Sequence, residues 1–191
     1  MATAEIARCG WPGADPMMID YHDREWGVPL HDDQKLFEYM VLDAFQAGLS
    51  WKTILHRREG FRKAFARFDP QKVARFPDKK IEMLMQDTGI IRNRLKIQAT
   101  VSNARLFLDV QKEFGSFDRY IWQFTEGKTI QNHRKQNEPP VATSPQSDKM
   151  SKDLKERGFR FVGSTICYAF MQAAGMVNDH HSGCFRYHEL L

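Results

Sequence analysis

Asp43-Ala44-Phe45-Gln46-Ala47-Gly48-Leu49-Ser50-Trp51 carries a patterned helix into a glycine turn and restarts it on a Ser-Trp step. Upstream, Leu36, Phe37, Met40 and Val41 recur at helical spacing and face a core, so Asp43 is a lone acid near the end of an apolar helix. An acid so placed is either a cap or part of a site. Gly48 permits backbone angles or close approaches that a Cβ forbids, and Ser50 is a good N-cap for a helix opening at Trp51. Leu49 is left on the turn between two helices. There it is either tucked into the core or free to enter a base stack as a wedge.

Helical periods continue to both sides. Asp33 is expected to cap the helix that ends near Gln46, and Ser50 a second one running towards Arg58. Asp69-Pro70 and Pro77-Asp78 each start a short helix, and residues 94–114 form a long amphipathic one stopped by Gly115. Ser116 caps a further short helix, and others are expected from Asp148 to Arg157 and, capped by Ser164, from Thr165 to Ala174. The first thirty residues read as irregular but rich in aromatic rings. Glu126 to Ser147, polar and proline-containing, reads as an exposed loop. With no repeat and no convincing alternating strand, the fold class is all-α.

A chain of 191 residues fits one compact domain or two small lobes. The net charge of +4 leans mildly towards a polyanionic partner, without carrying a nucleic-acid claim by itself. The first residues, Met1 to Ala7, lack the basic start and apolar run of a signal peptide, and no apolar run is long enough to span a bilayer. The expectation is a cytoplasmic protein that makes no membrane contact. Three cysteines in a reducing compartment leave free thiols or metal ligands in place of a disulfide framework.

Three groups of residues have the makings of chemistry. Cys9 and His22 near the start, with His180 and Cys184 in the tail, make a Cys₂His₂ set of the kind a closed structural zinc site uses, and a metal would pin two segments that lack apolar periodicity. The alternative is ordinary surface or capping histidines; His181 could replace His180, and Cys167 reads as core. The second group is a pair of helices joined at Gly89-Ile90, with Arg92, Arg94 and Lys96 opening the second helix. It reads either as a helix-hairpin-helix that holds DNA phosphates or as a generic helical hairpin with a solvated basic face. The third, Trp11, Tyr21, Trp26, Asp43 and Trp51, would hold a flipped base by stacking and one carboxylate, or would simply be core.

With these residues in view, the chain resembles the DNA-3-methyladenine glycosylase I family of the helix-hairpin-helix superfamily. The resemblance is carried by Arg8-Cys9-Gly10-Trp11, by Tyr21-His22-Asp23-Arg24-Glu25-Trp26-Gly27-Val28-Pro29, by Gln46 to Trp51 and by Gly89-Ile90-Ile91-Arg92. Gly158-Phe159-Arg160-Phe161-Val162-Gly163 and Val177-Asn178-Asp179-His180 complete it. It implies one helical glycosylase domain over 1–191, with the helix-hairpin-helix at about 78–113 and zinc-bound termini at about 8–29 and 178–186. It also implies one structural zinc ion on Cys9, His22, His180 and Cys184, and a base pocket lined by Tyr21 and Trp51. Gly48-Leu49 would enter the gap left by the flipped nucleotide, and the hairpin at Gly89 would grip the backbone of duplex DNA.

Two departures bear on the substrate. Asp43 stands where the family places a glutamate that meets the damaged base, followed by Ala44 in place of glycine, and Met18 stands where well-known members have a second pocket tyrosine. The expectation is a monofunctional, monomeric, bacterial-type glycosylase releasing alkylated purines, above all 3-methyladenine. The alternatives are a glycosylase retuned to another modified base, a non-catalytic lesion binder, or a zinc hydrolase with an open metal position.

Overall fold

The computed structural model describes residues 7–191; the leader reading of Met1 to Ile6 lies outside the described residues. At the centre is α2 (Asp33–Gln46), in which every residue from Leu36 to Phe45 is buried, as befits a helix surrounded by protein on all sides. Its N-cap is Asp32, which accepts from the Lys35 amide, so the cap expected at Asp33 lies one residue earlier. Asp33 has a longer-range task. Its carboxylate accepts from Gln111 and from the Phe117 and Asp118 amides, tying α2 to the start of a distant helix.

Around α2 lie α3 (Trp51–Leu55), α4 (Arg58–Ala64), α5 (Pro70–Val73), α6 (Asp78–Leu84), α7 (Arg94–Phe114), α8 (Phe117–Trp122), α9 (Pro145–Glu156) and α10 (Ser164–Ala173). Ser50 caps α3 as expected, but the helix expected to reach Arg58 breaks at His56-Arg57 into α3 and α4. Gly163 occupies the N-cap position of α10, which moves Ser164 into the helix; Ser144 opens α9 earlier than expected through a capping box with Ser147. Gly115, in the left-handed region at φ 85°, ends α7.

The N-terminal segment is not irregular. Pro16–Arg24 is a helix, α1, capped by Asp15 with proline at its first position, the same signal that starts α5 at Asp69-Pro70. Nor is the chain wholly α. Ile130–Gln131 (β1) pairs in parallel with Val177–Asn178 (β2), in register Ile130 to Val177 and Gln131 to Asn178, and α11 (Phe185–Glu189) closes the chain. The 126–147 segment is thereby tied to the body, with an isolated bridge between Arg134 and His181 beyond the strands. No helix among the described residues is long and apolar enough to cross a membrane.

Candidate active site

Asp43 ends the last buried turn of α2 and is 2% exposed. Its Oδ2 has no hydrogen-bond partner among the described residues, and on one side it borders the apolar chamber of Met40, Ile166, Cys167 and Phe170. Burial without a compensating donor lifts its carboxyl well above the usual carboxylate range. Glu38, five residues earlier on the same helix, is also buried and is satisfied by Arg58 and Arg62. The contrast isolates Asp43 as a group held ready for something that is not protein.

On its other side Asp43 opens on a cavity of about 450 Å³, shared with Trp11, Tyr21, Trp26 and Trp51. Tyr21 and Trp51 are in contact at 5.0 Å between ring centres, and Trp11 meets Tyr21 edge-on at 6.2 Å. The indole nitrogen of Trp51 and Nδ1 of His181, two residues that line the same cavity, are buried and, like Asp43 Oδ2, lack a partner among the described residues. Polar atoms are therefore left open beside an aromatic wall. Buried polar groups are ordinarily paired, so three such orphans around one cavity mark a place for a ligand with both a flat face and a polar edge.

Met18 does not reach this cavity. It is 7% exposed and packs into the main core, so its placement in the base pocket is corrected. Sequence reasoning missed Gln46, Gln172, Asp179, His181 and the 134–141 part of the loop, all of which line the cavity. Gln46 was within reach of local reasoning, one turn beyond Asp43 on α2. The rest come from distant segments.

Leu49 is 41% exposed on the turn after α2, where Gly48 adopts φ 80°. Its core alternative is thereby excluded. The neighbouring helix pair, α6 and α7, is joined by a turn in which Asp87 accepts from the Gly89 amide and Asn93 caps α7. Arg92 is exposed, Arg94 is exposed and forked onto Glu82, and Ile90 is only 3% exposed and anchors the turn in the core. Ile90 therefore has no side chain to offer a partner. Lys96 departs from the expected basic face altogether: it is 6% exposed, and its ammonium donates to the Phe45 and Ala47 carbonyls at 2.9 and 2.7 Å. It caps the C-terminal end of α2 and holds the Gly48-Leu49 turn.

Behind the aromatic wall, Cys9, His22, His180 and Cys184 are all buried, with ligand atoms within 4.8 Å of one another. The Cys9 Sγ to His180 Nδ1 separation is 3.6 Å, and Cys184 Sγ lies 3.5 Å from both His22 Nε2 and His180 Nδ1. A tetrahedron with metal–nitrogen bonds of about 2.0–2.1 Å and metal–sulfur bonds of about 2.3 Å has nitrogen–sulfur edges of about 3.5 Å. Each imidazole has its other nitrogen engaged, His22 Nδ1 with Asp23 at 2.7 Å and His180 Nε2 with the Trp26 carbonyl at 3.0 Å. That arrangement turns one lone pair of each ring towards the cluster. The donor set fits a metal ion. His181 stands apart, its Nε2 on the Arg8 carbonyl, and Cys167 is a buried core thiol, as the sequence suggested.

The Cys₂His₂ cluster and the cavity share a wall. Trp11 meets His22 at 5.4 Å and Trp26 at 5.1 Å, and Trp26 packs edge-on against His180 at 4.6 Å.

Comparison with known proteins agrees with this geometry. The methyladenine glycosylase family model matches residues 11–187. The chain is 50% identical over 189 residues to DNA-3-methyladenine glycosylase 1 of Escherichia coli K12, covering 95% of this chain and 97% of the relative. It is 46% identical to a DNA-3-methyladenine glycosylase of Haemophilus influenzae, covering 93% and 96%. A crystal structure of a 3-methyladenine DNA glycosylase I superposes with TM-score 0.91 at 49% identity, over 94% of this chain and 98% of that one. A variant of such an enzyme in complex with 3-methyladenine superposes with TM-score 0.90 at 34% identity, over 93% and 96%. With its family pattern matched almost from end to end and the orphaned acid, aromatic cavity and buried Cys₂His₂ cluster in place, the chain belongs to the methyladenine glycosylase family.

Proposed function

We propose that the chain is a monofunctional DNA glycosylase that releases 3-methyladenine from duplex DNA by hydrolysis of the N-glycosidic bond. The observation that carries this is the cavity in which Asp43 Oδ2 and Trp51 Nε1 are buried without partners beside an aromatic wall. Methylation at N3 makes the base cationic and a good leaving group. A cation in the cavity offers Asp43 the counter-charge that the protein withholds, and Tyr21 and Trp51 offer it π-faces. The C1′–N9 bond breaks with its electron pair passing to the base, which departs neutral. Water adds to C1′ and gives up a proton, leaving an abasic site. Lys96 is committed to backbone carbonyls and is not free to act as a Schiff-base nucleophile; Lys135 is the lysine that lines the cavity, on its loop side.

On this reading Leu49 fills the gap left by the extruded nucleotide, and the Gly89 turn with Arg92 and Arg94 meets the phosphate backbone. Arg94 is shared with Glu82, so Arg92 is the freer contact. The protein acts as a monomer over one helical domain. The fitting metal is zinc, on Cys9, His22, His180 and Cys184; four protein ligands close its coordination sphere, which supports a structural role over a hydrolytic one.

The test is identification of the base freed from methylated duplex DNA under single-turnover conditions by wild type, Asp43→Asn and Asp43→Glu. Release of 3-methyladenine by wild type, lost in Asp43→Asn, is expected. The ionised form of Asp43 is the one that pairs with a cation and its carboxyl is raised, so the rate should climb with pH above the usual carboxylate range, and Asp43→Asn should abolish that climb. An inert wild type with an active Asp43→Glu would redirect the site to another modified base; tight lesion binding without release in all three would leave a lesion binder.

A further inference from the structure

A second buried acid lines the same cavity, and the reaction outlined above gives it no task. Asp179 is 7% exposed. Its position follows from the short parallel pairing: β1 and β2 are in register at Gln131 and Asn178, so the next residue of each strand, Asn132 and Asp179, emerge side by side. The Asn132 amide nitrogen donates to Asp179 Oδ1 at 2.6 Å. From α10, Tyr168 and Gln172, one turn apart on one face, donate to Oδ2 at 2.8 and 2.6 Å. Three neutral donors thus converge on an acceptor-only group.

No cation is paired with Asp179 among the described residues. Arg134 lines the same cavity and forms no ion pair with Asp179; its Nη2 donates to the Pro139 carbonyl. An ion pair would quench the field of the acid, and neutral donors do not; they fix its position and leave its charge. A tie between the loop and α10 alone would be made as well by an uncharged side chain, and burying a carboxylate without a counter-ion is unfavourable. The balance changes when the cavity holds a cation. Glycosidic cleavage develops one on the deoxyribose, where a fixed, pre-oriented anion needs no rearrangement to act.

We propose that Asp179 is a second acidic group of the reaction, an anion fixed by Asn132, Tyr168 and Gln172 that stabilises the positive charge growing on the sugar as the base departs. This rests on the glycosylase reading. It divides the labour of the cavity: Asp43 meets the base, and Asp179 meets the deoxyribose.

The experiment compares wild type, Asp179→Asn and Asp179→Glu in three measurements. One is single-turnover release of 3-methyladenine. The second is affinity for the free base. The third is the ratio of affinities for two duplexes, one carrying a cationic pyrrolidine and the other a neutral tetrahydrofuran in place of the sugar. Wild type is expected to favour the cationic duplex. Asp179→Asn should lose release by about 10²–10³-fold, keep its affinity for the free base and lose the preference for the cation. Asp179→Glu, which retains the charge, should keep the preference in reduced form, and it decides the matter if Asp179→Asn does not fold. Equal weakening on both duplexes, or no preference in wild type, would reduce Asp179 to a structural tie and overturn the proposal. The duplex comparison does not depend on which base is released, so a wild type inert on 3-methyladenine would sink the substrate reading and leave Asp179 to be judged separately.

Discussion

Asp43 is stabilising to nothing in the free protein. Its folded-state carboxyl is raised by burial above its unfolded value, so the folded chain holds a proton that the unfolded chain releases once pH exceeds the usual carboxylate range. Stability should therefore fall as pH rises from about 4 towards the raised value. Asp43→Asn should lessen that fall, and the gap in urea midpoint between variant and wild type should widen in favour of the variant with rising pH; parallel profiles would show that the acid is not desolvated in solution. The same substitution removes the partner of the cationic base, so stability and base release move in opposite directions. Lys96 gives a complementary case. Lys96→Met leaves the Phe45 and Ala47 carbonyls without their donor, at an expected cost of about 1–3 kcal/mol, and loosens the turn that carries Leu49. Affinity for an abasic duplex should drop several-fold while binding of the free base stays within twofold. Equal losses on both would place Lys96 in the general fold and not in the turn.

At the scale of elements, the turn between α6 and α7 is positioned by α4. A Cβ built on Gly60 would lie 2.2 Å from the Gly89 carbonyl oxygen, closer than any packing allows, and the obstacle is backbone. Gly60→Ala must therefore displace α4 or the turn. It should destabilise the protein by about 1–3 kcal/mol, the usual cost of overpacking, and weaken binding to undamaged duplex DNA, with release from saturating lesion DNA less affected. A melting temperature unchanged by the substitution would mean that the two glycines do not meet. The 126–147 segment carries a related lesson. Its polar, proline-containing sequence gives no period, yet its pairing with β2 and the bridge from Arg134 to His181 fasten it over the cavity.

For the whole molecule, the Cys₂His₂ cluster joins residues 9 and 22 to residues 180 and 184, so a metal held there would close the chain on itself. Cross-linking distant segments removes unfolded-state entropy, and metal binding is then folding free energy. On the zinc reading proposed above, removal of the ion by a chelator should lower the melting temperature by many degrees. Because Trp11 and Trp26 rest on His22 and His180, it should also weaken binding of free 3-methyladenine at temperatures where the helical core remains folded, as followed by far-ultraviolet circular dichroism. A base affinity unaffected by metal loss would separate cluster and pocket. The sequence by itself determined most of the helix starts, the glycine stop of α7, the Cys₂His₂ set and the family. Caps, proline positions and ligand types act through a few neighbouring residues and are written locally. It could equally have yielded α1, since Asp15-Pro16 repeats the signal of Asp69-Pro70. Only the tertiary structure decided that Glu38 is paired and Asp43 is not, that Lys96 turns inward and Leu49 outward, and that Asp179 shares the cavity. Those outcomes depend on which segments meet: Asn132 reaches Asp179 across 47 residues, and Lys96 reaches Ala47 across 49, distances over which no local rule operates.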